Sequence, residues 1–141
     1  MSEPREQVRR YVEAWNRHDV AGILDGFVDD CVYEDAALGR VSSGKEQVRG
    51  YLEDTFGAFP DFHIDVVSLF GGDQAVFSEW DMSGTHSGDF PGLPATGGTF
   101  RVRGCSLIEL DGGRIRRNAD YWNLAEFLSQ VGVLVPSGPS A

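Results

Sequence analysis

The spacing of apolar residues changes at Pro60-Asp61, and this limits what the chain can fold into. Before that point the spacing is helical: Val8, Tyr11, Val12 and Trp15 follow the i, i+3, i+4, i+7 rule and make one apolar face. After it, from Phe62, the period is two. Phe62, Ile64 and Val66 alternate with His63, Asp65 and Val67, and glycine-rich turn signals follow at Gly71-Gly72-Asp73 and Asp111-Gly112-Gly113. Helices that precede a run of consecutive hairpin-linked strands stay on one side of the sheet. The predicted class is α+β, with an antiparallel sheet and a short closing helix.

In chain order, a helix is predicted over Ser2 to His18, with Ser2 as N-cap, Pro4 in the first turn, and Glu3 and Glu6 at the positive end of the dipole. Asp19 caps a second, short helix with the face Val20, Ile23, Leu24 and Phe27, ended by Asp29-Asp30. Cys31 to Ala36 is a short strand. Ser43-Gly44-Lys45-Glu46 has the form of a capping box and starts a third helix bearing Val48, Tyr51, Leu52 and Phe56. Strands follow over Gln74 to Ser83 and Thr99 to Leu110, separated by the Gly- and Pro-rich stretch Gly84 to Gly98. A loop of that length suits a lid or binding loop. Asn123, with Glu126 three residues on, caps the last helix. A single domain over 1–134 is predicted, with a frayed tail over 135–141.

The last strand carries the residue most in need of explanation. Asn118, Asp120 and Trp122 share one face of it; Ile115, Ala119 and Tyr121 take the other. Aspartate is disfavoured in strands, and an unpartnered buried carboxylate has its pKa raised by up to ~3–5 units. Asp120 is therefore exposed, paired with a nearby arginine such as Arg101, Arg116 or Arg117, or kept for proton chemistry. Asp35 reads either as a base or as a turn-forming residue at a strand end. Tyr11 packs on an apolar helix face with its hydroxyl free to reach a pocket. His86, at the start of the long loop, is a ligand-facing polar group or a loop histidine bonded to backbone. Trp15, Trp80 and Trp122, with Phe56, Phe59 and Phe90, supply either core or the walls of an apolar cavity suited to a planar polycyclic ligand.

Charge and composition narrow the partners. The net charge is −10 over 141 residues and there is no basic stripe, which opposes nucleic-acid binding. Arg101, Arg103, Arg114, Arg116 and Arg117 fall among acids such as Glu109 and Asp111, as on a solvated sheet face or a dimer rim. No apolar run is long enough to span a bilayer, and the N-terminus lacks the apolar core of a signal peptide, so a cytoplasmic protein is expected. Cys31 and Cys105 read as small buried hydrophobes. His18, His63 and His86 are too scattered to suggest a metal site, and neither metal nor cofactor is expected.

The order of elements resembles the cone-shaped, cystatin-like α+β fold shared by nuclear transport factor 2, ketosteroid isomerase and the SnoaL-like polyketide cyclases. In that fold helices wrap a curved sheet around one pocket. R-Y-V-E-A-W-N-R-H-D from Arg10 and D-D-C-V-Y-E-D-A from Asp29 resemble ketosteroid isomerase. The resemblance implies an oxyanion donor at Tyr11 and a general base at Asp35. The isomerase's second oxyanion donor, a protonated aspartate, falls at Ser106, so half of that hole is missing.

W-D-M-S-G-T-H-S-G-D-F-P-G-L-P-A-T-G from Trp80, and D-G-G-R-I-R-R-N-A-D-Y-W-N with the later L-S-Q-V-G, are similar to the SnoaL-like cyclases. There the aspartate at the position of Asp120 takes a proton from the carbon beside a carbonyl, and the enolate closes a ring. A histidine often found two residues before it is Asn118 here. A-D-Y-W-N also resembles the ending of limonene-type epoxide hydrolases, but two of that enzyme's three working groups are replaced by Trp80 and Met82.

These resemblances imply a cofactor-independent cyclase or isomerase with a hydrophobic carbonyl substrate. Asp120, Asp35 and His86 are its candidate catalytic groups. Tyr11, Trp15, Tyr33, Phe56, Trp80, Asn118 and Trp122 are its candidate substrate contacts. A homodimer through the sheet face is expected, and a non-catalytic binding domain of the same fold is the alternative.

Overall fold

The computed structural model describes residues 3–133. Helix α1 (Pro4–Asn16) starts one residue later than a Ser2 cap would place it. Glu3 is the N-cap, its carboxylate accepting from the N–H groups of Arg5 and Glu6. Ser2 and the tail expected to fray, from 135 on, lie outside the described residues. His18 takes a left-handed conformation, φ 55°, and turns the chain into α2 (Val20–Asp25). Asp19 caps α2 as expected, accepting from Gly22 N–H at 3.0 Å.

Phe27 does not extend the face of α2, and Asp29-Asp30 does not end that helix. Gly26 closes it, and Phe27 opens strand β1 (Phe27–Asp35), which contains both aspartates. β1 pairs with the far end of the chain, and that pairing overrides the short helical pattern. The short β2 (Arg40–Ser43) was not foreseen. The expected capping box is absent too. Gly44, at φ +81°, is the N-cap of α3 (Lys45–Ala58) without a side-chain bond, and Gln47 takes the Ser43 N–H instead.

After α3 the chain is a meander: β3 (His63–Gly71), β4 (Ala75–Thr85), β5 (Thr99–Asp111) and β6 (Arg114–Trp122), closed by α4 (Leu124–Gln130). Asn123 caps α4 through Glu126 N–H, as its sequence predicts. The six strands form one sheet in the order β2-β1-β6-β5-β4-β3. Neighbouring pairs are antiparallel except β1 with β6, which run parallel. That pair joins the two ends of the chain and sets Asp35 directly beside Asp120.

One register detail reverses an expectation. Ile115 pairs with Leu110 and Asn118 with Ile108, and a bulge falls between them. Leu110 and Ile108 are both buried on the same side of β5, so the bulge turns Ile115 inward with Asn118. The inner face of the sheet and the helices share one apolar core, which includes Trp15, Ile23, Leu52, Phe59, Val76 and Val102. The outer face carries ion pairs: Arg101 and Arg103 with Asp81, and Arg117 with Glu34 and Glu109. Cys31 is buried as expected, whereas Cys105 on the outer face is only half-buried. Among the described residues no helix is long and apolar enough to cross a membrane.

Candidate active site

A cavity of about 350 Å³ opens between the inner sheet face and helices α1, α3 and α4. Its wall is aromatic and aliphatic, with Trp15, Phe59, Phe62, Trp80, Met82, Phe100, Trp122 and Phe127. Phe90 to Leu93 of the long loop also line it, so that loop forms part of the wall. Two carboxylates, Asp120 and Asp35, face this apolar space.

Asp120 is only 8% exposed and has no cationic partner among the described residues. Three neutral donors hold it. Ser106 donates to Oδ1 at 2.6 Å, Asn118 Nδ2 donates to the same oxygen at 2.7 Å, and the Tyr33 hydroxyl donates to Oδ2. Each donor is itself fixed or enclosed. Trp80 Nε1 donates to Ser106 at 2.8 Å, and the Tyr11 hydroxyl donates to Asn118 Oδ1 at 3.0 Å. The second bond sets the orientation of the Asn118 amide, because a carboxylate only accepts and a protonated phenol beside a carbonyl donates. Burial pushes the Tyr11 and Tyr33 hydroxyls well above their ordinary pKa, and the Asp120 charge adds to it, so both remain donors.

A glycine makes this arrangement possible. Trp80 stands opposite Gly104 in the β4–β5 register. A Cβ at Gly104 would come within 2.5 Å of the Trp80 ring. The bare backbone lets the indole lie across it, and its N–H then reaches Ser106.

Burial raises the Asp120 pKa from an ordinary 3.8 to about 6, with the neighbouring Asp35 charge adding to the rise. The bonds from Ser106, Tyr33 and Asn118 pull it back part of the way. Asp35 is pushed upward by burial as well, and is drawn down by the Tyr51 hydroxyl, which donates at 2.7 Å, and by Leu38 N–H at 3.1 Å. Among the described residues no group of three or more His, Cys, Asp and Glu side chains is arranged to hold a metal.

Of the residues singled out from sequence, Tyr11, Trp15, Tyr33, Asp35, Trp80, Asn118, Asp120 and Trp122 line the cavity. Asp120 is neither exposed nor bonded to an arginine. Phe56 and His86 are not in the wall. Phe56 stacks on His18, ring centroids 4.2 Å apart, behind Trp15. His86 is fully buried against Phe59 and anchors the base of the long loop: its N–H donates to Gly98 O, its carbonyl accepts from Gly97 N, and Nδ1 meets Thr96 at 3.3 Å.

The sequence reading missed Tyr51 and Ser78, and took Ser106 only as a missing oxyanion donor. The two serines had a legible signal, since each interrupts a run of apolar inner positions on its strand: Val76, Ser78, Trp80, Met82 on β4 and Val102, Gly104, Ser106, Ile108 on β5. Tyr51 had none, because helical spacing marks a buried face and says nothing of where a hydroxyl ends.

Residues 5–131 match the SnoaL-like polyketide cyclase family. The chain belongs to that family. This SnoaL-like chain is 32% identical over 127 residues to the cyclase aurE of Calcarisporium arbuscula, covering 85% of its own length and 90% of the relative's. It shares its fold with a protein proposed to be a SnoaL-like polyketide cyclase from Jannaschia sp. CCS1, with TM-score 0.84 and 17% identity over 94% of this chain and 93% of that one. A protein of ketosteroid isomerase-like fold from Catenulispora acidiphila superposes with TM-score 0.81 and 24% identity, over 95% and 98% of the two chains. The SnoaL-like fold is thus the cone-shaped α+β architecture expected from the order of elements.

Proposed function

We propose that this SnoaL-like protein is a cyclase or isomerase of hydrophobic carbonyl compounds, with Asp120 as its general acid/base. The observation that carries the reading is a buried carboxylate held by three neutral donors at the wall of an apolar cavity. In the proposed reaction Asp120 takes a proton from the carbon beside a carbonyl. The enolate carbon forms a bond to a second carbonyl carbon of the same molecule, and Asp120 returns the proton to the new alkoxide oxygen. Atoms balance without a co-reactant.

Asp120 rather than Asp35 is taken as the base because burial lifts its pKa to about 6, close to the range in which a general base works, while Ser106, Asn118 and Tyr33 hold both of its oxygens in place. A ketosteroid isomerase-type hole is not supported. Ser106 spends its hydrogen on Asp120, and Tyr11 spends its own on Asn118. The match to aurE, itself called a cyclase, supports the same reading.

The test needs no knowledge of the natural substrate. Exchange of the α-hydrogens of 2-tetralone in D₂O, followed by NMR, reports proton abstraction directly. The wild type should accelerate exchange, and Asp120→Asn should lose ~10²–10⁴ of that acceleration. Full exchange activity in Asp120→Asn, with loss in Asp35→Asn, would move the base to Asp35. Binding of the ketone without exchange in the wild type would leave only a binding domain.

We further propose that the protein is a homodimer through the outer sheet face. Phe70 and Phe77 are cross-strand neighbours there and exposed by 68% and 49%, and Tyr121 is exposed by 43%. Arginines and acids of both signs surround them, so a copy turned about a twofold axis meets opposite charges. Sedimentation should give a dimer that Phe77→Asp converts to monomer. A wild-type monomer would reject the interface.

A further inference from the structure

The site's polar groups lie along one line. In the sheet register Asp35 stands opposite Asp120, Asp120 opposite Ser106, and Ser106 opposite Ser78. Four polar residues therefore cross four adjacent strands on the inner face. Three of them are bonded. The fourth, Ser78, is 1% exposed, belongs to the cavity wall, and its hydroxyl has no partner among the described residues.

The reason is visible next door. Ser106 has given its hydrogen to Asp120 and accepts from Trp80 Nε1, so it has no hydrogen left to donate to Ser78, and the two hydroxyls make no bond. Backbone groups around Ser78 are taken up by the ladders to β3 and β5. A buried hydroxyl without a partner is costly, and such groups usually call for an explanation outside the ordinary packing. Here the remaining neighbour is the cavity, and a hydroxyl rotor can turn toward an occupant at little cost.

We infer that Ser78 is a second polar anchor, holding an oxygen of the ligand at the end of the cavity away from Asp120. Two strand spacings separate the two positions, roughly 10 Å. The ligand that fits therefore carries a second oxygen function at about that distance from the one at Asp120, with apolar atoms between them, rather than a single oxygen. The inference rests on the cavity being the ligand site. It does not depend on which acid moves the proton.

Quenching of tryptophan fluorescence by 2,6-dihydroxyanthraquinone and by 2-hydroxyanthraquinone tests it. The second probe has one hydroxyl and so cannot place hydroxyls at Asp120 and at Ser78 together. Ser78→Ala should weaken the dihydroxy probe by roughly 3- to 10-fold, the worth of one neutral hydrogen bond, and leave the monohydroxy probe unchanged. Ser78→Thr, which keeps the hydroxyl, should keep the preference.

The ligand-free Ser78→Ala protein should melt no lower than wild type, because it loses an unpartnered group. A lower melting temperature, or an equal loss for both probes, would make Ser78 structural and overturn the inference. If both probes bind and Ser78→Ala alters neither, the anchor fails while the cavity reading stands. If neither probe binds, the anchor fails together with the cavity reading, and the 2-tetralone exchange then reports on that reading separately.

Discussion

Asp120 and Asp81 lie two strands apart on opposite faces of one sheet, and the fold treats them in opposite ways. Asp81 faces outward and is gripped by Arg103, at 2.7 Å from Nε, and by Arg101. The Arg103 bond lowers its pKa from the ordinary value. Asp120 faces inward and is held by a serine, an amide and a phenol, and burial lifts its pKa to about 6. A cation fixes a carboxylate as an anion. Neutral donors hold the geometry of the carboxylate and leave its proton negotiable. The choice of partner, more than the residue type, separates a surface charge from the proposed acid/base.

The largest effect that distinguishes the two faces is catalytic. Asp120→Asn should cost ~10²–10⁴ in 2-tetralone exchange, while Asp81→Asn should leave exchange unchanged. Equal losses would erase the contrast.

The next is the pH dependence of stability. Asp120 binds its proton more tightly folded than unfolded. Between pH 4 and 6 the native state therefore carries more protons, and stability falls as pH rises through that window. A rise from 3.8 to about 6 corresponds to about 3 kcal/mol. Asp35, also raised by burial, adds in the same direction. The lowered outer acids act with the opposite sign, contributing stability that is lost as pH falls below about 4. Urea denaturation across pH 3–8 should show the fall in the wild type and a flatter curve in Asp120→Asn. An unchanged curve would mean that Asp120 is not the source.

A smaller effect tests what positions the inner acid. Gly104→Ala forces the Trp80 ring off the β5 backbone and breaks its bond to Ser106. Overpacking of this kind typically costs ~1–3 kcal/mol, read as a lower urea midpoint, and exchange should fall with it. An alanine tolerated without loss of either would show that Trp80 does not order the site.

The smallest effect concerns the outer face alone. Raising salt should weaken the exposed Arg103–Asp81 and Arg101–Asp65 pairs. It should leave the exchange rate unchanged, because no cation touches Asp120. An exchange rate that followed ionic strength would bring the outer charges into the site.

The same contrast explains what was legible in the sequence. The period-two run marked the sheet, and alternation in the last strand put Asn118, Asp120 and Trp122 on one face, as found. Whether Asp120 met an arginine or the interior was not decided by that pattern, because Arg116 and Arg117 are adjacent in sequence but bond Glu109 and Glu34 on the other side. The first half was harder to read. Phe27 opens β1 because β6 pairs with it from nearly ninety positions away, a partner that local spacing does not encode, and Asp29-Asp30 fall in the irregular stretch before that pairing resumes at Val32. Ile115 turned inward through a bulge, which alternation alone does not show. Ser78 and Ser106 were readable as polar breaks in apolar alternation, yet their meaning came only from register, which lines them up with Asp120.

The central claim is that Asp120 is a carboxylate poised by neutral donors in an apolar cavity. The most direct measurement is its pKa, from the carboxyl carbon shift of labelled protein titrated by NMR, with Asp81 in the same spectra as the internal contrast. The account predicts about 6 for Asp120, moving further when 2-tetralone binds, and a value below the ordinary 3.8 for Asp81. An Asp120 value at or below 3.8 that ignores the ketone would contradict it.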